Sequence, residues 1–493
     1  MTKQEAAIKY ITENYLDYNR LRHDIISDKL QVRLDLEEAR GEEHPKTPRA
    51  FSGTPLRLEA KGREYWKELS KHDINSIVCH AAQEYDQNIT SREVLTALQS
   101  DLIPQVHPLR EYVLSCGEWT EEQPDWIDMV ARQVRVKNND NINNLRGNQL
   151  PAALKENIPC RSRDIDSSRI LSKLSSNNNS PLSSNNNSPL SSNNNHTLSS
   201  QNNPADALWR GCFKKWFVAM VASWMNDEVV NHQVLVLIGK QGIYKTTWLE
   251  HLIPPQLRDY CCKLANATQL SKDDRLRIAE FGLINLDELD AMTPRELNAM
   301  KSIITATDVN ERAAYGYTKE RRIRLASFCA SSNRRDFLTD ITGNRRWLPF
   351  EVENIQNPFF TTLPYERMYA QAWALANDPT FCYWFELDEI EVLEEHNKHF
   401  RDESNEEQLL AVYFAVPAEG AEHTKFLTTA EISEKLISAG NIKRPMSLSR
   451  LGMLLGQQGF IASRHGTPPR RGWIVYERGS EEINAERRIF AKS

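Results

Sequence analysis

Nine consecutive residues, Gly239, Lys240, Gln241, Gly242, Ile243, Tyr244, Lys245, Thr246 and Thr247, place two glycines, two lysines and two threonine hydroxyls behind the apolar run QVLVLI. Glycines let backbone N–H groups converge on phosphate oxygens. A terminal lysine reaches the β- and γ-phosphates, and the next hydroxyl suits Mg²⁺. The first glycine, Lys245 and Thr246 fit the pattern GxxxxGK(S/T). Tyr244 takes the place of the second glycine, and a glycine stands two positions earlier. A glycine-rich turn with a surface lysine is the plainer reading, but the order strand, loop, helix favours a phosphate cradle.

Some forty residues on, FGLINLDELD ends an apolar run in Asp287 and Glu288. A carboxylate at the carboxyl end of a buried strand beside a phosphate loop is placed to hold Mg²⁺, and a following Glu to polarise water. Asp287 is therefore the expected metal ligand with Thr246, and Glu288 the expected general base. Alone, the pair reads rather as a solvated helix start. A third run, IRLASFCASSN, ends in Asn333, suited to sensing a γ-phosphate or orienting water, and DITGNRRW follows with Arg345 and Arg346. Paired arginines there suit a finger supplied to a neighbouring subunit, against the alternative of a structural ion pair.

Residues 311 to 346 hold nine Lys or Arg against four acids. Within them Tyr315, Tyr317, Lys319, Arg321 and Arg322 mix aromatic and basic side chains about a turn, as a hairpin touching a nucleic-acid backbone would. An ordinary solvated hairpin explains them as readily. Further on, TTAEISEKLI and SLSRLGMLLGQQGF read as capped helices, followed by two short strands in IASRHGTPPRRGWIVYER. Helix, helix, hairpin is the order of a winged helix, with Ser447 as a cap and Arg464, His465, Arg470 and Arg471 on the wing. DNA contact is the functional expectation, and protein docking the alternative. His396 and His399 lack further ligands nearby and are expected on an exposed helical face. No GxSxG elbow marks a serine nucleophile.

The elements that position these residues fit a chain of 493 residues, enough for about three domains. There are 61 Lys and Arg against 67 Asp and Glu, a net charge of −6, so any nucleic-acid site must be local. No apolar run approaches the ~18 residues needed to cross a bilayer, and MTKQEAAIKY lacks a secretory core. Eight scattered cysteines without a CxxC suggest reduced thiols and a cytoplasmic protein. From Ser175 the octad SSNNNSPL repeats and decays. One Leu per copy buries nothing, so a disordered linker with a reach of roughly 35 Å is expected. Before it, Ile8, Ile11 and Tyr15 keep helical spacing and Leu30, Val32, Leu34 and Leu36 alternate as in a strand. Asp73 is the expected cap of one helix, and Thr90 with Glu93 forms a capping box for another.

Taken together, GKQGIYKTT, LINLDELD, the basic AYGYTKERR segment and SSN followed by DITGNRRW resemble the virulence-associated protein E family of P-loop ATPases of phages and integrated elements. The same motif order is similar to superfamily-3 helicases of the AAA+ class. The resemblance runs over about residues 65 to 350 and includes HPLREYVLS and Trp119. It implies that Gly239 to Thr247 bind ATP, that Asp287 and Glu288 form the acidic motif, that Asn333 is the sensor and that Arg345 or Arg346 is the finger. Tyr244 departs from the family pattern, and no primase core is read in the amino-terminal part.

The expected fold is an α/β P-loop NTPase core over 205–350, with a mostly helical module over 1–165 and the linker over 166–204. A helical extension over 351–403 and a winged helix over 404–493 complete it. The expected activity is ATP hydrolysis with Mg²⁺, driving a helicase-like, DNA-acting protein of a phage or mobile element in replication. Single-stranded or forked DNA is the expected partner, in a homo-oligomer such as a hexameric ring without membrane attachment. Tyr244 motivates the alternative, a nucleotide-gated DNA-binding module that loads, regulates or senses without translocating.

Overall fold

The computed structural model describes residues 1–34, 65–138, 204–264, 272–311, 320–338, 344–401, 405–417, 424–440, 442 and 445–490. The SSNNNSPL repeat, Lys319, Tyr315, Tyr317 and Gly343 lie outside the described residues. Alternation of Leu30, Val32 and Leu34 with polar neighbours produces a strand, as expected. Its companions make the amino-terminal part mixed rather than mostly helical. Strands β1 (Leu21–Asp24), β2 (Lys29–Leu34), β3 (Tyr65–Glu68) and β4 (Gln105–Val106) form one sheet in the order β3-β2-β1-β4. Helices α1 (Lys3–Ile11), α2 (Lys71–Glu84) and α3 (Ser91–Leu98) share its apolar core through Ala6, Ile11, Ile77, Ala81, Val94 and Leu98. Thr90 and Glu93 make the expected capping box. At α2 the cap is Ser70, and Asp73 is its third-position partner.

Next come α4 (Pro108–Ser115), α5 (Trp126–Ala131), β5 (Val134–Val136) and the 22-residue α6 (Pro204–Met225). Asp206, Arg210 and Lys214 give the first half of α6 one partly exposed stripe, while its second half, from Lys215 to Trp224, is buried on every side. Its indoles find carbonyls: Trp209 Nε1 donates to Ala131 O at 2.9 Å and Trp216 Nε1 to Phe328 O at 3.1 Å. The following elements are β6 (Val234–Ile238), α7 (Lys245–His251), β7 (Cys261–Leu264), α8 (Lys272–Glu280), β8 (Leu283–Leu286) and α9 (Pro294–Ile304). A hairpin of β9 (Asp308–Glu311) and β10 (Glu320–Ile323) precedes β11 (Ser327–Ser332) and β12 (Trp347–Ile355). Helices α10 (Tyr365–Asn377) and α11 (Leu387–Asn397) follow.

The central sheet runs β5-β12-β6-β11-β8-β7, parallel throughout except for the antiparallel edge strand β5. Continuous burial of β6, β8 and β11 is what a parallel sheet covered on both faces demands. Two findings correct the expected boundaries. The core's last strand extends to Ile355 rather than yielding to helix at 351. The expected division at the repeat is also not a division in space, because β5 pairs with β12 and Ile127, Val130 and Val134 share the core with α6.

His396 is buried rather than exposed. Its Nε2 lies 2.7 Å from Pro349 O and its ring packs on Phe350, which removes it as a metal ligand. Cys79, Cys116, Cys212, Cys261, Cys262 and Cys329 are free thiols, whereas Cys382 is disulfide-bonded, against the expectation of wholly reduced cysteines. Among the described residues no helix is long and apolar enough to cross a membrane.

A second unit comprises Asp336–Asn344 and Asn397–Ser493. It contains α12 (Asn405–Tyr413), β13 (Phe414–Ala415), β14 (Thr424–Leu427), α13 (Thr429–Gly440), α14 (Leu448–Gln457), β15 (Ile461–His465), β16 (Arg470–Glu477) and α15 (Ser480–Phe490). Ser447 caps α14 by accepting from Arg450 N. Leu410, Ile432, Leu436, Leu451, Leu455 and Val475 meet in its core.

Candidate functional site

At the carboxyl end of β6 the chain leaves the sheet through Gly239 to Tyr244 and re-enters regular structure as α7. A β-carbon at Gly239 would stand 2.9 Å from Val352 O, so only glycine lets the loop pass β12 this closely. Gly242 adopts φ +87°, which glycine takes without strain. Tyr244 also lies in the left-handed region, at φ +66° and ψ 18°. That conformation costs a non-glycine residue about 1–2 kcal/mol, and it explains why a glycine is the ordinary occupant. The tyrosine keeps the loop's shape and turns its ring toward Asn357, whose Nδ2 donates to the phenol oxygen at 3.3 Å. Lys240 and Gln241 are exposed, and Ile243 packs against the core.

Lys245 is 6% exposed, and its Nζ donates to Gly239 O at 2.7 Å, Lys240 O at 2.8 Å and Asn333 Oδ1 at 3.1 Å. Burial lowers its pKa, opposed by Asp290 and Asp287. Second in α7, Thr246 Oγ1 donates to Asp287 Oδ1 at 2.9 Å and lies 3.0 Å from Ser331 Oγ. Ser331 Oγ also donates to Asp287 Oδ1, at 2.7 Å, and Lys263 Nζ sits 2.5 Å from Asp287 Oδ2. Burial would raise the Asp287 pKa, but bonds from Lys263, Ser331 and Thr246 outweigh it and hold the carboxyl below its ordinary value. Thr247 supplies its carbonyl to His251 Nδ1 at 2.7 Å. Glu288 follows Asp287 with a left-handed backbone, φ +55°, and an exposed side chain.

The structure thus brings together Gly239, Lys245, Thr246, Asp287 and Asn333 at the carboxyl ends of β6, β8 and β11. Strand β6 lies between β11 and β12, at a point where neighbours in the sheet are not neighbours in sequence, which is where open α/β sheets form ligand crevices. The paired hydroxyl and carboxylate of Thr246 and Asp287 are hard oxygen donors that fit Mg²⁺, which keeps most of its shell for water and phosphate. Among the described residues, no group of three His, Cys, Asp or Glu is placed to hold a metal ion.

Arg345 and Arg346 lie apart from this cluster. Trp347 pairs with Val234 at the start of β6, which puts the two arginines at the opposite end of the sheet. Six residues at about 3.3 Å each separate them from Gly239 by roughly 20 Å, beyond an arginine's reach within one chain. The β9–β10 hairpin stands at that same far end. There Arg321 pairs with Asp308 at 2.8 Å and Arg322 with Glu280 at 3.3 Å. In the second unit Arg464 stands directly across from Arg471, and His465 from Arg470, with all three arginines exposed.

Three residues of the cluster escaped the sequence reading. Ser331 sits two positions before Asn333, and strand alternation alone would have put both on one face. Asp290, which accepts from Asn333 N at 3.4 Å, is the last acid of LDELD. Lys263, in CCKL, carried no signal, because only the pairing of β7 with β8 sets it opposite Asn285 and beside Asp287.

Residues 191–406 match the family model of the virulence-associated protein E-like domain. The resemblance read from GKQGIYKTT to DITGNRRW is borne out over that span, which begins later and ends later than the stretch from about 65 to 350. No curated protein matches the chain. Among solved structures, the apo structure of the NrS-1 C terminal region is 11% identical, with a TM-score of 0.39, over 96% of this chain and 100% of that one. Its A form is also 11% identical, with a TM-score of 0.37, over 95% and 99%. A likeness at that level carries no argument for function.

Proposed function

We propose that the chain is a P-loop ATPase acting on DNA, helicase-like and in the service of a phage or mobile element. The observation that carries this is the convergence of Lys245, Thr246, Asp287 and Asn333 on one end of the parallel sheet. Lys245 has its three N–H groups on two loop carbonyls and an amide oxygen, all neutral acceptors that phosphate oxygens would replace. Thr246 and Asp287 would hold Mg²⁺, which neutralises charge between the β- and γ-phosphates when bound. Glu288, exposed beside Asp287, would draw the proton from the attacking water, and Asn333 would orient that water or the γ-phosphate. Arg345 and Arg346, too far from their own loop, would serve a neighbouring copy's, which favours a homo-oligomer such as a hexameric ring.

For the second unit we propose a winged helix. Arginines directly opposite each other across two strands destabilise a hairpin. Retaining Arg464 against Arg471 on an exposed ladder favours a polyanion as its partner. Lys319, Arg321 and Arg322 would add a second DNA contact, since exposed ion pairs such as Arg321–Asp308 are weak enough to exchange for phosphate.

The purified chain should hydrolyse ATP with Mg²⁺, and Lys245→Ala or Asp287→Ala should abolish turnover. Wild-type turnover no higher than that of Lys245→Ala at every DNA concentration would refute the enzyme reading. Tight ATP and DNA binding without strand displacement from forked substrates of either polarity would leave a nucleotide-gated binding module.

A further inference from the structure

Past Ile238 the sheet's neighbouring strand β12 continues to Ile355, so the segment after it emerges at the same end as the Gly239–Thr247 loop. There the sequence NPFFTT makes a turn that leaves Phe359 59% and Phe360 88% exposed. Two adjacent phenylalanines in water are unusual unless something covers them. The turn is held by its own bonds. Asn357 Oδ1 accepts from Phe359 N at 3.0 Å, and Asn357 O accepts from Phe360 N and from Thr361 Oγ1, both at 3.1 Å. The same Asn357 donates to the Tyr244 phenol, and the Tyr244 and Phe359 rings meet edge to face at 6.4 Å. His251, one helix from the loop, closes the wall with its ring 5.6 Å from Phe359.

We propose that Tyr244, Phe359 and Phe360 form the stacking platform for the base of a nucleoside triphosphate whose phosphates lie in the Gly239–Thr247 loop. The inference rests on the nucleotide reading of that loop and adds where the base goes. Tyr244 belongs to both parts: its backbone shapes the phosphate loop and its ring builds the aromatic wall, so one ligand spans the two. Flat aromatic faces recognise a base whatever its edge carries. A DNA strand followed along its backbone would need cations here, and NPFFTT has none. The platform also gives the strained Tyr244 a use that glycine could not supply.

The test compares two ligands of the full chain by calorimetry, each with Mg²⁺: a non-hydrolysable ATP analogue and inorganic tripolyphosphate. Phe359→Ala with Phe360→Ala should weaken the analogue roughly ten-fold, the order expected for one lost base stack, and leave tripolyphosphate unchanged. Phe360→Trp should retain analogue binding. Both rings are largely exposed, so the fold should survive, which tryptophan fluorescence would check. Unchanged analogue affinity, or equal losses for both ligands, would overturn the platform while sparing the phosphate loop. Loss of self-association with unchanged analogue affinity would overturn it in favour of a contact between copies. If wild type binds neither ligand, the nucleotide reading falls and the platform with it.

Discussion

Arg324 is 2% exposed, yet among the described residues its guanidinium faces carbonyls rather than a carboxylate. Nε donates to Ala326 O at 3.0 Å and Nη2 to Asn231 O at 2.9 Å. Nη1 reaches Ile303 O at 3.4 Å, Ala306 O at 3.3 Å and, closer still, Ile304 O. Two of these carbonyls, Ile303 O and Ile304 O, finish α9, where a helix collects partial negative charge. Burial pulls the arginine's pKa down to about 9. Replacing Arg324 with Met relieves the buried charge but strips Ile304 O, Ala306 O and Asn231 O of a donor. At about 1–3 kcal/mol for each unsatisfied group, less the relief, the net cost should be about 3–5 kcal/mol. Trp209, Trp216, Trp224, Trp248 and Trp347 are all buried in the larger unit, so tryptophan fluorescence during urea unfolding reads the right unit. The midpoint should fall by up to roughly 1 M. Arg324→Lys, with three donors on a shorter head, should recover part of the loss. A Met variant within about 0.5 kcal/mol of wild type would show that carbonyl satisfaction is not what the arginine supplies.

Two further outcomes are expected. His107 caps α4 by accepting from Arg110 N, and burial, aided by the Arg110 charge, lowers its pKa to about 4. The unfolded chain then binds the proton first, so stability should fall as pH drops from 6.5 toward 4, by at most about 1.4 kcal/mol per pH unit. His107→Asn keeps a cap and should flatten that slope in melting temperature against pH, and parallel profiles would contradict the assignment. In the second unit, replacing Arg464, Arg470 and Arg471 with Ala should weaken DNA binding and reduce the log–log salt slope by roughly 3. An unchanged slope, measured by fluorescence anisotropy across salt concentrations, would remove the hairpin from the DNA interface.

Local patterns disclosed the strands that carry the cluster, because burial on both faces forces apolar runs such as VLVLI and, broken only by Asn285, LINL, and leaves the polar residue at each run's end to mark the site. Capping at Thr90 and Ser447 was equally readable, since a cap needs only neighbours three positions away. Part of what escaped depends on partners distant in sequence. Lys263 meets Asp287 only through strand pairing, and His396 is buried because α11 packs on β12, not because of anything in EEHNKH. Asp73 shows the limit of spacing alone: an acid three residues into a helix is as good a partner as a cap, and Ser70 decides which.

Strand β5 and helices α4 and α5 precede the Asn/Ser repeat, yet their contacts run to elements that follow it. Lys214 bridges to Asp125 at 2.8 Å, Gln371 Oε1 accepts from Ile127 N at 2.9 Å, and Trp248 Nε1 donates to Gln133 Oε1 at 3.0 Å. The covalent link through the repeat is therefore redundant with a noncovalent one. Cut within SSNNNSPL, or produced from two separate reading frames split there, the halves should reassemble into one sheet, which makes this protein a natural candidate for fragment complementation.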